Sequence, residues 1–262
     1  MTNKGTRGVA GQTVALACLG ARAPLRRAAA SRPAQDLAYG KLARRAQSAP
    51  GTDRALHLKR AMDAALALGA LMTLSPLLLL IALIIRLDSP GPALYRQTRN
   101  GLGGREFLML KFRTLRIEVC APPAGRFQQI TRDDPRVTRV GRLLRWTSLD
   151  ELPQLVNVLR GEMAIVGPRP HPVTLNERYA EKIDLYGSRH AVKPGITGWA
   201  QVNGLRGETE TLDKMEQRVR YDLYYIEHWS LMFDIRILAQ TLRLGFLDRS
   251  TPKNAAPMSS VG

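Results

Sequence analysis

The sequence predicts an α+β protein, mostly helical, in which an apolar membrane helix precedes a basic domain of amphipathic helices and a small sheet. Three observations carry this. Residues 64–85, "AALALGALMTLSPLLLLIALII", form an uncharged apolar run. The second half alternates Gly/Pro-rich loops with amphipathic stretches such as "DIRILAQTLRLGF", where Ile235, Leu238 and Leu242 share one helical face. One short stretch, "LKFRT", places Lys111 and Arg113, two candidate substrate-binding cations, on the same side of a strand.

Residues 1–57, as in "ARAPLRRAAASRPAQ", are rich in Ala, Arg and turn formers with weak apolar periodicity. We read them as a basic disordered tail. The short "VALACLGA" is too brief and too mixed for a signal-peptide core. Residues 58–87 hold the membrane element, 88–247 one basic domain, and 248–262 a second unstructured tail. With 39 Lys+Arg against 22 Asp+Glu, a net charge of +17, the chain needs a polyanionic neighbour such as lipid headgroups, nucleic acid or phosphorylated substrates. Its two cysteines, Cys18 and Cys120, are too few for a disulfide framework.

The apolar run is about 22 residues, roughly 33 Å as a straight helix against a hydrocarbon core of about 30 Å. Pro76 lies near its middle, behind Ser75. A proline in a helix interior costs about 3 kcal/mol, because it removes a donor and clashes with the carbonyl four residues back. Ser75 and Thr73 can satisfy that carbonyl, so both a kinked span and a re-entrant hairpin are open. Lys59 and Arg60 before the run and Arg86 after it draw both ends to the same face, which favours the hairpin. Further on, Tyr221, Tyr224, Tyr225, Trp229 and Phe233 suit either a membrane interface or an aromatic core.

The densest block is "LRWTSLDELPQLVNVLRGEMAIVGPRP". Asp150 and Glu151 stand among Arg136, Arg139, Arg142, Arg145, Arg160 and Arg169. Ser148 and Glu151 fit a capping box, opening a helix that Gly161 ends, with Pro153 at the start of its regular part. The same helix start would hold Asp150 ionised near bound phosphate. Pro168 and Pro170 stiffen the backbone around Arg169, which suits bidentate phosphate recognition. "KPGITGWAQVNGLRGET" is a glycine-rich loop, with Lys193 and Arg206 as candidate phosphate partners. The four histidines show no clear partner in the sequence.

Together "LSPLLLLIALIIRLDSPGP", "KFRT", "DPRVTRVGRLLRWTSLDELPQLVNVLRGEM", "VGPRPH", "RHAVKPGITGWAQVNGLRGET" and "YDLYYIEHWSLMFDIRIL" resemble the bacterial sugar transferases of the monotopic phosphoglycosyl transferase family, over about residues 58–246. The resemblance implies a re-entrant helix broken at Ser75-Pro76 in the bacterial inner membrane, with the catalytic domain on the cytoplasmic face. It implies transfer of a sugar 1-phosphate from a UDP-sugar to undecaprenyl phosphate with release of UMP, the first membrane step of exopolysaccharide or capsule assembly. Asp150 falls at the family's nucleophile, which forms a covalent aspartyl phosphosugar, and Glu151 at the residue that binds Mg²⁺. Pro168, Arg169 and Pro170 fall at the nucleotide-recognition motif, Lys111 at the lysine of the "KFR" block, and Arg206 nearest the arginine after the "NG" turn. The loop form suggests glucose or galactose. Trp146 stands where the family commonly has Arg or Lys, and Leu115 where it has Met.

The chemistry agrees with the composition. A carboxylate nucleophile divides a phosphoryl exchange into two displacements, and Mg²⁺ with arginines neutralises the converging anions. An active site at headgroup depth replaces lipid extraction with proximity. Expected partners are the two substrates and inner-membrane lipid, with no nucleic acid; a homo-oligomer is left open. The alternative is a non-enzymatic, membrane-anchored basic adaptor binding anionic lipid or nucleic acid, which has little use for paired acids among arginines.

Overall fold

The computed structural model of the protein describes residues 52–116, 134–207 and 211–246. Both expected tails, except for the helical residues 52–57, and both cysteines lie outside the described residues.

Helix α1 (Thr52–Asp88) opens on Asp53, whose charge favours a helix N-terminus, and closes on Arg86, which favours the other end. It begins six residues ahead of the expected membrane element, through a stretch rich in helix formers. Helical backbone continues through the Ser75-Pro76 step, at which the resemblance implies a break. The reason is local: Ser75 Oγ donates to the carbonyl of Met72 at 2.8 Å, the carbonyl that Pro76 leaves without an amide. Among the described residues α1 is the one helix long and apolar enough to cross a membrane. Met72, Leu79, Leu80, Leu83 and Leu87 are exposed along it, an apolar surface suited to hydrocarbon.

Strands β1 (Leu94–Asn100) and β2 (Glu106–Phe112) form an antiparallel hairpin in which Tyr95 pairs Lys111 and Arg99 pairs Phe107. Helix α2 (Arg139–Thr147) follows, capped by Thr138, whose hydroxyl accepts from the amide of Gly141. A 3₁₀ turn (Leu149–Glu151) leads into α3 (Gln154–Leu159), with Pro153 at its cap and Gly161 in the left-handed conformation after its end. Strands β3 (Ala164–Val166) and β4 (Gly195–Thr197) pair in parallel, and α4 (Val173–Ala180) crosses between them. The short α5 (Trp199–Val202) and two long helices, α6 (Leu212–Glu227) and α7 (Leu231–Phe246), complete the domain. The small sheet of the expected α+β fold is thus two separate strand pairs.

Both ends of α1 are fastened to this domain. Ala67 packs with Met109, Leu155, Val158 and Met163, and further along Ile81 and Ile85 pack with Phe112 and Leu144. Near its start Lys59 Nζ meets Asp234 at 2.6 Å, and Arg60 donates to the carbonyls of Val158 and Leu159, which end α3. Asp63 accepts the amide of Ile165 at 3.1 Å. Asp234 is fully buried and also receives Tyr225 Oη at 2.7 Å and Trp229 Nε1 at 3.3 Å. Removing such a charge takes a buried acceptor from Lys59, Tyr225 and Trp229, of which Lys59 keeps Asp63 and both Lys59 and Tyr225 keep Val166 O, so Asp234→Ala is expected to lose about 3 kcal/mol, the lower end for a broken buried pair. The urea midpoint in detergent reads this, with Asp234→Asn, which keeps an acceptor, falling in between.

The aromatic residues left between interface and core go mainly to the core. Tyr225 is buried, and Tyr221, Tyr224 and Phe233 gather around the Trp199 ring. On α7, Ile235 and Leu242 stay exposed on the expected apolar stripe, beside Met232.

Candidate active site

The Asp-Glu pair sits at a sharp change of direction. Ser148 ends α2 in the left-handed region (φ 59°), and its side chain makes no capping bond to the turn that follows. The capping box expected of Ser148 and Glu151 is therefore absent. A left-handed Ser148 cannot present its hydroxyl as a helix N-cap, which requires an extended backbone. Its hydroxyl instead accepts Arg206 Nη2 at 2.8 Å. Glu151 turns the other way, into the domain.

There Glu151 meets two cations. Lys111 Nζ donates to Oε1 at 2.8 Å from β2. Arg169 grips both oxygens, Nη2 to Oε1 at 2.5 Å and Nη1 to Oε2 at 3.1 Å, a bidentate pair. Burial alone would raise the Glu151 pKa, but Arg169 and Lys111 outweigh it and hold the carboxyl well below the ordinary range. Asp150, one residue earlier, goes the opposite way. Burial raises its pKa above the ordinary carboxylate value, and repulsion from Glu151 adds to this against the attraction of Lys111 and Arg169. Burial likewise lowers the Lys111 pKa, partly offset by Glu151, while Glu151 raises that of Arg169.

The turn carrying Arg169 is built by close backbone approach. Gly167 donates to the carbonyl of Thr197, and Gly195 to that of Pro168, both at 2.9 Å. A Cβ at Gly195 would run into the backbone of Gly167, so neither position tolerates a side chain. Guanidiniums then hold the carbonyls of the Pro-Arg-Pro turn. Arg189 Nη2 donates to Arg169 O at 2.8 Å, and Arg99 Nη1 to Pro170 O at 3.1 Å. Arg99 feels both Arg169 and Glu151, and burial followed by Arg169 pushes its pKa down to about 9. Sequence reasoning passed over Arg99; the "QTRNG" context carries no signal beyond one more arginine in a basic chain.

Behind the turn lies a buried polar network that the sequence did not reveal. His171 Nδ1 lies 2.7 Å from Tyr186 Oη and 2.9 Å from Arg189 Nη1, and Arg189 Nε pairs with Asp222 at 2.7 Å. Arg218 bonds the carbonyls of Leu205 and Gly207, fixing the loop that bears Arg206. Burial, then Arg189 and Arg218, hold the His171 pKa well below the ordinary value of 6.5, and burial pushes that of His190 down to about 4. Both rings are neutral in the fold, so the folded state binds fewer protons than the unfolded chain. Their contribution is complete above 6.5 and is lost as pH falls from 6.5 toward the folded values. The unfolding temperature should therefore drop between about pH 7 and about pH 5, and His171→Asn should flatten that slope.

The structure brings Lys111, Asp150, Glu151, Pro168, Arg169 and Pro170 together, with Arg206 at the rim through Ser148. Two sequence candidates go elsewhere. Arg113 caps the end of α1, donating to the carbonyls of Ile85, Ser89 and Pro90. Strand β2 ends at Phe112, so strand alternation no longer sets where Arg113 points. Lys193 lies beside Gly161 near the start of α1, where it feels Arg60, Asp63 and Lys59.

The family model described as bacterial sugar transferase matches residues 54–248. The UDP-glucose:undecaprenyl-phosphate glucose-1-phosphate transferase of Escherichia coli (strain K12) is 53% identical over 193 residues, 74% of this chain and 41% of that protein. The protein of the same name from Caulobacter vibrioides is 51% identical over 70% of this chain and 68% of its own length. The exopolysaccharide production protein PSS of Rhizobium leguminosarum bv. phaseoli is 45% identical over 71% of this chain and 94% of its own length. The chain thus spans less than half of the E. coli relative.

Proposed function

The chain belongs to the bacterial sugar transferases, and from that premise we propose that it transfers glucose 1-phosphate, or a closely related hexose 1-phosphate such as galactose 1-phosphate, from a UDP-sugar to undecaprenyl phosphate. The product would enter exopolysaccharide assembly. The observation that carries this is the pair of adjacent buried carboxylates near the same two cations, of which Glu151 bonds both directly and is shifted down while burial shifts Asp150 up. The names of these relatives supply the substrates.

Asp150 is the nucleophile in this reading. Its Oδ attacks the sugar-bearing phosphorus of the donor, a P–O bond forms, the bridging P–O bond to the α-phosphate breaks, and UMP leaves with the electron pair. A phosphate oxygen of undecaprenyl phosphate then attacks the same phosphorus and displaces the Asp150 carboxylate. Desolvation makes that carboxylate more basic and a better nucleophile. Lys111, Arg169 and Arg99 neutralise the donor's pyrophosphate, and the stiff Pro168–Pro170 turn presents Arg169 with little entropy to lose. No group of three or more His, Cys, Asp or Glu that could hold a metal occurs among the described residues. Two adjacent carboxylates nonetheless fit Mg²⁺, which takes one or two protein oxygens and completes its shell with phosphates and water, provided Glu151 exchanges part of its contact with Lys111 and Arg169 for the ion. Asp150 and Glu151 would hold it, and it supplies Lewis-acid stabilisation of phosphoryl oxygens.

In the same reading α1 enters and leaves the inner membrane by the cytoplasmic face, bending at Ser75-Pro76. What supports this is that both of its ends are tied to one domain, Lys59 and Arg60 on one side and Ile85 and Ser89 on the other. The test is UMP release by the full chain in nanodiscs with undecaprenyl phosphate, Mg²⁺ and a panel of UDP-sugars. Release with UDP-glucose or UDP-galactose is expected; none with any UDP-sugar would sink the proposal.

A further inference from the structure

The dyad stands at the top of a column of polar side chains. The 3₁₀ turn Leu149–Glu151 passes through Leu152 and Pro153, both in helical conformation, into α3. Amide bonds here reach three residues back: Leu152 to Leu149, Leu155 to Leu152, and Val156 to Pro153. At three residues per turn, side chains at i and i+3 eclipse. The 3₁₀ turn thus sets Gln154 one turn below Glu151, and on the α-helix that follows Asn157 lies a further turn along, with Glu151 and Asn157 both bonded to β2.

The two ends of the column are satisfied there. Glu151 holds Lys111, while Asn157 Oδ1 accepts the amide of Leu110 at 2.9 Å and its Nδ2 donates to Leu108 O at 2.8 Å. The middle member is not. Gln154 is 1% exposed, and neither its Oε1 nor its Nε2 has a hydrogen-bond partner. A buried carboxamide with both ends unpaired is a standing penalty that packing with an apolar side chain of the same shape would avoid. A residue of this kind one turn below a carboxylate has the placement of a ligand waiting for its ion. Pairs at i and i+3 on one helix hold metals in helical bundles. A carboxamide oxygen is also a hard, neutral donor that suits a divalent cation where Asp150 and Glu151 already bring the charge.

We propose that Gln154 Oε1 is a protein ligand of the divalent cation held by Glu151, so that Glu151 and Gln154 grip it from successive turns. This rests on the transferase reading only for the cation's purpose, and the test separates the two. Mn²⁺ is titrated into the full chain in nanodiscs and followed by electron paramagnetic resonance, with thermal unfolding of the metal-free and Mn²⁺-loaded protein alongside. Gln154→Met, which keeps the shape without the polar atoms, should weaken Mn²⁺ binding about 10-fold or more. The same variant should unfold no earlier than the parent without metal, and should lose most of the Mn²⁺-induced rise in unfolding temperature. Gln154→Glu, which keeps an oxygen in place, should retain binding. Unchanged Mn²⁺ affinity in Gln154→Met overturns the proposal, as does earlier unfolding of that variant without metal, which would make the amide a structural group. Failure of the parent to release UMP while these Mn²⁺ results hold would overturn the transferase reading and leave the cation site standing.

Discussion

Asp150→Asn is expected to abolish UMP release while leaving the protein as stable as the parent or more so. Loss of a covalent nucleophile lowers turnover by roughly 10⁴-fold or more. The stability half of the expectation follows from the sign of the shift. The folded-state pKa of Asp150 lies above its ordinary value of 3.8 because burial penalises the charged form. Such a group stabilises the fold while protonated, and that contribution disappears as pH rises through the folded value. Wherever Asp150 is ionised its charge is therefore a liability that asparagine removes. Thermal unfolding at about pH 7, read beside UMP release and trapping of labelled donor, checks both halves. A variant that is inactive because it is unfolded, or one that still captures label, contradicts this account.

Glu151→Gln should do the reverse to stability while also stopping turnover. Its carboxylate neutralises Lys111 and Arg169, whose side chains are only 18% and 25% exposed, and neutral glutamine leaves both cations without their partner. Breaking a buried pair in this way costs about 3–5 kcal/mol, and the residual exposure places this case near the lower figure. Here the folded pKa lies below the ordinary 4.5, so the contribution is present above 4.5 and is lost as pH falls through the lowered value. Urea unfolding should thus separate parent and variant at neutral pH and bring them together in strong acid. Two neighbouring acids, substituted in the same isosteric manner, are expected to move stability in opposite directions.

Much of the site was legible because its parts are contiguous. Asp150, Glu151 and the Pro168–Pro170 turn fall within one block of sequence, and Lys111 lies in a short motif of its own. The need for Ser75 to cover a carbonyl freed by Pro76 was also readable, since both partners lie within one turn of helix. Readings failed where the deciding partner was distant or the backbone left its regular period. Arg113 follows the last residue of β2 and turns to α1, and Ser148 adopts a left-handed conformation that propensity does not announce. The network behind the turn unites Arg99, His171, Tyr186, Arg189, Arg218 and Asp222. No short motif contains them, so the histidine left without a role in the sequence proves to be at its centre.

From the chain of residues alone came the apolar helix with cations at both ends, the blocks that mark the family, and the identity of the paired acids. These are properties of neighbours along the backbone, where spacing and composition suffice. The tertiary structure alone decided that Glu151 is clamped and that burial raises the proton affinity of Asp150. That division depends on burial and on charges brought from 40 residues away at Lys111 and 18 residues away at Arg169. A carboxylate's proton affinity is set by what surrounds it in space, and of two adjacent acids near the same cations only the one that bonds them directly is pulled down.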